Sequence, residues 1–207
     1  MSMSVDQRRI SPSSERNVAA IGDVLAKHFK TASRLLEIGS GTGQHAAGCI
    51  GRLPGLSWQP TDKLPESSSI AAWAAETDHA ERILAARRLD VSNVNDWKQL
   101  TNFDAAFTAN TLHIMSRSSG QQMFQGLSKA MVHHGVLAVY GPFHDAGEPT
   151  SDGNRNFDAQ LRADGGDMGI RDLQDVQAAA AQAGFLQIAH FAMPANNQMI
   201  IWRLHRQ

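Results

Sequence analysis

The chain has 207 residues, of which 42% are hydrophobic, and this is the usual size of one domain with a full core. Nineteen basic and twenty acidic residues give a formal charge of -1, so composition does not favour a nucleic acid or an anionic membrane as partner. Cys49, the lone cysteine, cannot form an internal disulfide, and no stretch approaches the roughly 18 apolar residues of a membrane span, so we expect a cytoplasmic protein.

The first half of the chain predicts helices alternating with short buried strands. Apolar residues recur at helical spacing after "SPSSER", which predicts a serine-capped N-terminal helix; they are Val18, Ile21, Leu25 and Phe29. "RLLEIG" predicts a first strand, and a helix follows from about Gln44 to Leu53. "LSWQPTD" and "ILAARRLDV" predict strands two and three, separated by a Ser-capped, Ala-rich helix in "PESSSIAAWAAET".

The second half continues the alternation and then changes. "FDAAFTAN" predicts strand four, Ser118 with Gln121 predicts a capping box for the next helix, and the apolar "GVLAVYGPF" predicts strand five. This order indicates an α/β fold with a mostly parallel sheet and helices on both faces. After a helix ended by Gly184, "FLQIAHFAM" and "QMIIWRLH" are joined by the turn-forming "PANN", so we expect these strands to be antiparallel.

Three alternating glycines follow the first predicted strand, in "EIGSGTGQHA". Gly39, Gly41 and Gly43 predict a bend whose backbone a ligand can approach closely, although a tight turn with no ligand has the same signature. The dinucleotide fingerprint G-x-G-x-x-G needs a glycine where this chain has Gln44, so the pattern disfavours a nicotinamide oxidoreductase. Glu37 precedes the bend and favours a cationic ligand over a diphosphate.

Polar residues end the neighbouring strands. Asp62 ends strand two, Asp90 ends strand three and Asn110 ends strand four, and the carboxyl ends of such strands line one crevice. Asp62 can accept both hydroxyls of a ribose, Asp90 can accept from an adenine amine while Val91 packs on the ring, and Glu37 lies near the aminoacyl end or its bridging network. The predicted cofactor-binding set is Glu37, Gly39, Ser40, Gly41, Thr42, Gly43, Asp62, Asp90, Val91 and Asn110.

This arrangement resembles the class I S-adenosylmethionine-dependent methyltransferases, in which E-x-G-x-G-x-G follows strand one and acids end strands two and three. The resemblance extends from about Arg34 to the C-terminus. It implies a Rossmann-like sheet of seven strands, mostly parallel with an antiparallel C-terminal strand, and S-adenosyl-L-methionine as cofactor.

Several further stretches are similar to those of a methyltransferase-like family, classed as a domain of unknown function, that includes methyltransferase-like protein twenty-six. They are "SPSSERN", "EIGSGTGQHA", "WQPTD", "ANTLHIMS", "YGPF", "FDAQLR", "GIRD" and "MPANNQMIIWR". This resemblance covers nearly the whole chain, and it implies no particular methyl acceptor.

Two residues are predicted to be catalytic. His113 lies just past strand four and titrates near neutral pH, so it can take a proton from a hydroxyl acceptor; the alternative is a hydrogen-bonded histidine that closes the pocket floor. Tyr140, at the end of strand five, can orient an acceptor or pack in the core. We expect no metal, because no histidine pair with an acid beside it has ligand spacing.

Two segments are predicted to cover the substrate within a single domain of residues 1–207. The first is an N-terminal helical lid over residues 1–33. The second is an inserted region over residues 144–171, within a stretch from Phe143 to Arg171 that lacks clear periodicity. The predicted substrate residues are Arg16, Asn17, Asn154, Phe157, Arg162 and Arg171; arginines can pair with a carboxylate or phosphate, or instead with nearby aspartates.

The sequence therefore predicts a methyltransferase that acts on a small molecule, at oxygen rather than nitrogen. Asn110 lacks the following Pro-Pro-aromatic of enzymes that methylate adenine or glutamine, which argues against nucleic-acid bases. The alternative is a protein that binds S-adenosylmethionine or S-adenosylhomocysteine without turnover, and a peptide acceptor also stays open. The sequence gives no prediction of the oligomeric state.

Overall fold

The computed structural model describes residues 7–206, so residues 1–6 of the predicted lid lie outside the described residues. Its helices are α1 (Pro12–His28), α2 (Gln44–Cys49), α3 (Ser67–Ala75), α4 (Arg117–Ala130), α5 (Asp152–Ala163) and α6 (Leu173–Gln182). Its strands are β1 (Arg34–Ile38), β2 (Ser57–Asp62), β3 (Arg87–Arg88), β4 (Phe103–Ala109), β5 (Met131–Gly141), β6 (Phe143–His144), β7 (Arg171–Asp172), β8 (Phe185–Met193) and β9 (Asn197–Leu204).

Seven of these strands form one sheet in the order β3-β2-β1-β4-β5-β9-β8. The pairings of β1 with β2 and β4, of β2 with β3, and of β4 with β5 are parallel. β9 is antiparallel to both β5 and β8. The predicted sheet of seven strands with an antiparallel C-terminal strand is therefore confirmed. The parallel strands place their carboxyl ends at one edge, where the loops after β1, β2 and β4 meet.

Two cores lie on the two faces of this sheet. One side carries α4 and α6, with Phe124 and Trp202 among its buried side chains. The other carries α1, α2 and α3, with Ile21, Trp58 and Phe107 among its buried side chains. The helices thus cover both faces, as the alternating pattern predicts.

The predicted third strand is much shorter in the structure, because Pro60 interrupts its pairing with β2. The carbonyls of Trp58 and Asp62 accept hydrogen bonds from the segment beyond β2. Pro60 lies midway between Trp58 and Asp62, and its backbone faces the same neighbouring segment as theirs. Because proline has no N–H, it cannot donate a hydrogen bond to that segment. The Gln59 side chain bonds the carbonyl of Ala85 instead, at 2.9 Å. Only Arg87–Arg88 remains as strand.

The stretch from 143 to 171 is not an irregular loop. It contains α5, whose first turn is capped by Ser151, and the two-residue strands β6 and β7 pair in parallel at its ends. Helix α5 exposes most of its surface, so it lacks the wide apolar stripe that reveals a helix in sequence.

The predicted caps were partly wrong. Ser11 caps α1 as expected, with its hydroxyl accepting from the Ser14 amide. Helix α4 begins two residues earlier than the predicted capping box, since its N-cap is Ser116 and not Ser118; the Ser116 hydroxyl accepts from the Ser119 amide. Helix α3 follows Glu66 and has no side-chain cap.

Among residues 7–206, no helix combines the length and the apolar character needed to cross a membrane. The cytoplasmic location stays a prediction.

Candidate cofactor site

A cavity of about 550 Å³ opens at the carboxyl edge of the sheet. This is within the usual size range of small-molecule and cofactor sites. Eight of the ten predicted cofactor residues line it: Gly39, Ser40, Gly41, Thr42, Asp62, Asp90, Val91 and Asn110. The loops after β1, β2 and β4, together with the segment that follows β3, therefore meet around one space, as their positions in sequence indicate.

The glycine bend forms the floor of this cavity. All three glycines have positive φ, which is costly for other residues. A Cβ on Gly39 would meet the Thr111 side chain at 2.8 Å, and one on Gly43 would meet Ile70 at 2.8 Å. A Cβ on Gly41 would meet nothing within 4 Å, because it would project into open space. Gly41 thus gives a ligand access to the backbone, whereas Gly39 and Gly43 allow close packing behind the bend.

Asp62 and Asp90 both face the cavity. Oδ2 of Asp62 accepts from the amide of Gly41 at 3.0 Å, so the aspartate is joined directly to the bend. Oδ1 of Asp90 accepts from the amide and hydroxyl of Ser92, and Oδ2 pairs with Lys63 at 3.0 Å. The Ser92 hydroxyl and Lys63 lower the pKa of Asp90 to about 2. Both aspartates are held by backbone and side-chain donors in fixed positions.

Glu37 does not line the cavity but lies buried behind the bend, with 1% of its surface exposed. Trp58 Nε1 donates to its Oε2 at 2.9 Å, and its Oε1 has no partner among the described residues. Burial raises the pKa of Glu37 to about 7, with hydrogen bonds from Ser40 and Trp58 opposing the shift. Glu37 therefore lies behind the glycine bend and does not line the cavity, whereas the sequence predicted that it would bind the cofactor.

An N-terminal strap, residues 8–11, reaches the cavity at Ser11 and is fixed to the bend. The amide of Ser11 donates to Oε1 of Gln44 at 2.5 Å, and the hydroxyl of Thr42 donates to the same oxygen at 3.0 Å. The amide of Arg9 donates to Ser69 on α3 at 2.9 Å. Gln44, which departs from the dinucleotide fingerprint, thus joins the strap to the glycine bend.

Behind the strap, α1 packs closely on α2. A Cβ on Gly48 would lie 2.5 Å from Val18, and Arg52 donates to the carbonyl of Ala19 at 2.8 Å. The body of the predicted lid is therefore fixed against the domain. Ser11, Ser13 and Ser14 reach the cavity from its start.

The wall that carries Val91 is held by Trp97. The indole Nε1 donates to the carbonyl of Val91 at 3.1 Å. Gly126 on α4 faces this ring so closely that a Cβ would lie 2.2 Å from it. The Trp97 indole thus packs directly on the α4 backbone at Gly126 and joins this helix to the loop that carries Val91.

Three titratable residues on the cavity were missed by sequence reasoning: His45, Lys63 and Glu66. His45 Nε2 lies 2.9 Å from Oδ1 of Asn17 on α1. Burial lowers the pKa of His45 to about 4. The sequence placed His45 two residues beyond the last glycine of the pattern, at the start of a helix. That position was a signal that it would face the bend.

The predicted base His113 does not line this cavity. Its ring packs edge-on against Phe157 of α5, with centroids 5.2 Å apart, and its carbonyl accepts from Gly169. Burial and the nearby charge of Arg171 lower the pKa of His113 to about 4. The turn after β4 directs Ile114 and Met115 to the cavity and His113 toward α5.

Tyr140 likewise lies in the core and away from the cavity, with 2% of its surface exposed. Strand β5 places it on the face that packs under α1. Burial raises the pKa of Tyr140, and hydrogen bonding to the side chains of Asn17 and Asn197 opposes the shift. Asn17 therefore lies between Tyr140 and His45, close behind the cavity wall.

Three predicted substrate residues make structural contacts. Arg171 is 8% exposed; its Nε donates to the carbonyl of Leu112 at 3.2 Å, and Nη2 donates to the carbonyls of Met115 and Asp167. Asn154 is buried and bonds Thr150 and the carbonyl of Asn196. Arg162 pairs with Asp158 one turn away, at 2.7 Å. These side chains hold α5 and its flanking loops in place.

Of the other three, Asn17 is buried behind the cavity wall, and two are on the surface. Phe157 is 38% exposed beside His113, and Arg16 is exposed on α1. None of the six predicted substrate residues lines the cavity.

The cavity offers hydrogen-bond acceptors, apolar surface and an excess of acidic groups to a ligand. Gly41 leaves open space where a side chain would stand, the two aspartates offer acceptors on one side, and Val91 and Leu89 offer apolar surface. Among the titratable lining residues, the acids Asp62, Glu66 and Asp90 outnumber Lys63, which favours a cation. No cluster of three or more metal-ligating side chains occurs in the described part of the chain.

The solved structures that superpose on this chain include several methyltransferases. An O-methyltransferase family protein from Burkholderia thailandensis superposes with a TM-score of 0.79 at 14% identity, covering 90% of this chain and 56% of that one. Human N-acetylserotonin methyltransferase, in complex with S-adenosylmethionine, gives 0.71 at 16% identity, with 91% and 55% covered. An O-methyltransferase family 2 protein from Planctomyces limnophilus, in complex with apigenin, gives 0.71 at 14%, with 90% and 61% covered.

The chain therefore has the Rossmann-like fold of the class I methyltransferases, and it spans between one half and two thirds of the length of these three structures. The chain belongs to the family described as "Protein of unknown function (DUF938)", whose model matches residues 8–204.

Proposed function

We propose that this protein is an S-adenosylmethionine-dependent methyltransferase that methylates a small molecule at oxygen. The observation that carries the proposal is the joining of Asp62 to the amide of Gly41, with Asp90 and Val91 on the same cavity. The fold of O-methyltransferases supports it.

Each part of the cavity has a role in this proposal. Asp62 holds the ribose hydroxyls, Val91 and Leu89 enclose the adenine, and Asp90 accepts from its amine. When bound, S-adenosylmethionine supplies an electrophilic methyl group whose transfer turns a cation into a neutral thioether. The chain's own contribution is to align the acceptor, keep water out and receive any proton that the acceptor loses.

The acceptor side of the cavity favours a small neutral molecule. It is lined by hydroxyl and apolar side chains: Ser11, Ser13, Ser14, Thr111, Ile114, Met115, Ser116 and Ser119. No arginine lines the cavity in the described chain, so we do not expect a phosphate or carboxylate to be gripped there.

The strap of residues 8–11 and the region 144–171 stay in the proposal as covers of the substrate. The strap contributes through Ser11 at the cavity, whereas region 144–171 acts indirectly, through the contacts of Arg171 with the loop that carries Met115. We also propose the closer kinship predicted from sequence, with the family of methyltransferase-like protein twenty-six, and a cytoplasmic location.

The experiment has two arms. Calorimetry with S-adenosylmethionine and S-adenosylhomocysteine tests the cofactor, and we expect micromolar binding of both. Release of S-adenosylhomocysteine in the presence of fractionated small-molecule extract tests turnover. Binding without release from any fraction would favour the alternative of a cofactor-binding protein, and failure of both ligands to bind at millimolar concentration would overturn the proposal.

A further inference from the structure

We infer that His45 is the proton acceptor of the methyl transfer, and that Asn17 positions its ring. The inference rests on the proposed function, and it assigns to His45 the task that the sequence predicted for His113. It stands on the geometry of the cavity wall, where α1, α2 and β5 meet.

Of the titratable groups on the cavity, His45 is the one that neither the cofactor nor an ion pair engages. Asp62 contacts the bend and is assigned to the ribose, and Asp90 bonds Ser92 and Lys63 and is assigned to the adenine. Oε1 of Glu66 pairs with Arg9, and its Oε2 is sealed from solvent. Lys63 carries its charge into the pair with Asp90. His45 has no charged partner in the described chain.

The contact with Asn17 decides which ring nitrogen is the base. Oδ1 of Asn17 can only accept, so at 2.9 Å the His45 Nε2 must carry the ring proton. Nδ1 is then unprotonated. This nitrogen has no hydrogen-bond partner among the described residues and is not among their sealed polar atoms, so on a cavity-lining residue it opens to the cavity.

The surroundings fix the ring in this orientation. Phe107 packs against it edge-on, with centroids 5.7 Å apart, and the Asn17 amide is itself held by its contact with Tyr140. Asn17 is 5% exposed and His45 6%, so neither side chain is free to turn into solvent. From the cavity inward, the His45 ring is the base, the Asn17 amide orients this ring, and the Tyr140 phenol supports the amide.

The proton balance is simple. The O–H bond of the acceptor breaks and its proton passes to Nδ1 of His45. The oxygen keeps the electron pair and uses it to bond the methyl carbon, while the pair of the carbon–sulfur bond stays on sulfur. Oδ1 of Asn17 stabilises the resulting imidazolium through Nε2–H, and the ring later returns its proton to solvent.

This base suits an acidic hydroxyl. Burial keeps His45 neutral at pH 7, in the form that accepts a proton, but also makes it a weak base. A weak base assists a phenol far better than an aliphatic alcohol. The hydroxyl and apolar side chains that line the acceptor side also suit an aromatic hydroxyl compound, so the inferred acceptor class is a phenol or an enol of similar acidity.

The first test needs no acceptor. Nitrogen-15 NMR of the histidines should show the Nε2–H tautomer for His45, and Asn17→Leu should remove this preference. Carbethoxylation of His45, mapped by mass spectrometry, should slow more than fivefold with saturating S-adenosylhomocysteine, while exposed His190 reacts unchanged. A Nδ1–H tautomer, or no protection, would overturn the inference.

The second test compares His45→Asn with His113→Asn in the extract fraction that supports wild-type release. We expect His45→Asn to lose about 100-fold in turnover, the lower end for general-base catalysis, with S-adenosylhomocysteine affinity within threefold. We expect His113→Asn to stay within threefold in turnover. Imidazole should partly restore His45→Ala, which a merely structural role would not allow.

The outcomes separate the two proposals. Turnover of His45→Asn within threefold of wild type overturns the inference and leaves the methyltransferase standing. An inactive wild type removes both. If His45→Asn fails to fold, the His45 tautomer and the protection of His45 from carbethoxylation, both measured on the wild-type protein, still test the inference.

Discussion

The side chain of Gln44 accepts a hydrogen bond from the amide of Ser11 at 2.5 Å, and this contact lies beside the cavity that Ser11 lines. Gln44 lies at the start of α2 and Ser11 caps α1, so the bond joins the beginnings of the two helices. The residue that departs from the dinucleotide pattern is therefore the residue that holds the strap on the glycine bend.

Gln44→Ala should weaken S-adenosylhomocysteine binding about fivefold, because the strap loses one hydrogen bond worth about 1 kcal/mol. Calorimetry measures this, and hydrogen exchange at the Ser11 amide reports the released strap. Gln44→Glu keeps the acceptor and should stay within twofold. Equal exchange at Ser11 in the alanine variant and the wild type would contradict the role of this contact.

Glu37 should make the protein less stable as pH rises. Its native pKa is about 7 and its ordinary value is 4.5, so the native state holds a proton that the unfolded chain has lost. That stabilisation is complete below about 4.5 and is lost as pH rises through 7. Between pH 5 and 8 the free energy of unfolding should fall by roughly 2–3 kcal/mol on this account.

Glu37→Gln has no such proton, so its stability relative to the wild type should rise over the same pH interval. Urea unfolding at both pH values measures the difference. Gln retains an acceptor for Trp58, which makes it a fair control for the indole contact. If the free energies of unfolding of the two proteins changed in parallel between pH 5 and 8, Glu37 would be ionised throughout this interval, which would contradict the prediction.

Arg171 should be needed for folding more than for ligand binding. Its guanidinium bonds three backbone carbonyls, a geometry that the single ammonium of lysine cannot reproduce. Arg171→Lys should lose about 2 kcal/mol in urea unfolding. The matched control is Arg162→Lys, at an exposed pair, which should lose less than about 0.5 kcal/mol. Equal losses would contradict the assignment.

Gly41 and Gly55 provide a matched pair of substitutions that tests whether the ligand binds in the cavity. Both have positive φ, and at both a Cβ would meet nothing within 4 Å. Each change to alanine should therefore cost a similar amount of stability, about 1 kcal/mol. Only Gly41 lines the cavity, so Gly41→Ala alone should weaken S-adenosylhomocysteine binding, by more than tenfold in calorimetry. Equal affinities would place the ligand elsewhere.

The sequence predicted the sheet well because its signals are local. The apolar runs, the glycine bend and the tight "PANN" connection each report on backbone that lies next to them in the chain. The third strand failed because its length depends on Pro60, in a neighbouring strand. The acids at the strand ends were placed correctly, since the edge of a parallel sheet fixes where Asp62 and Asp90 lie.

The acceptor side could not be predicted in the same way. Whether His113 or Ile114 faces the cavity depends on the rotation of one short turn after β4, and the sequence does not fix that rotation. The orientation of Tyr140 depends on which face of β5 lies under α1, and the strand is apolar on both faces. His45 gains its position from Asn17, on a helix 28 residues earlier in the chain.

The indole of Trp97 over the bare backbone of Gly126 limits how this site can vary. Any side chain at position 126 would push the ring, and with it the carbonyl of Val91, toward the space that we assign to adenine. Ligand shape is thus tied to a position on α4 that does not line the cavity. Libraries built to change the nucleoside preference should therefore randomise positions 97 and 126 as a pair, because altering either one separately would leave an overlap or a void.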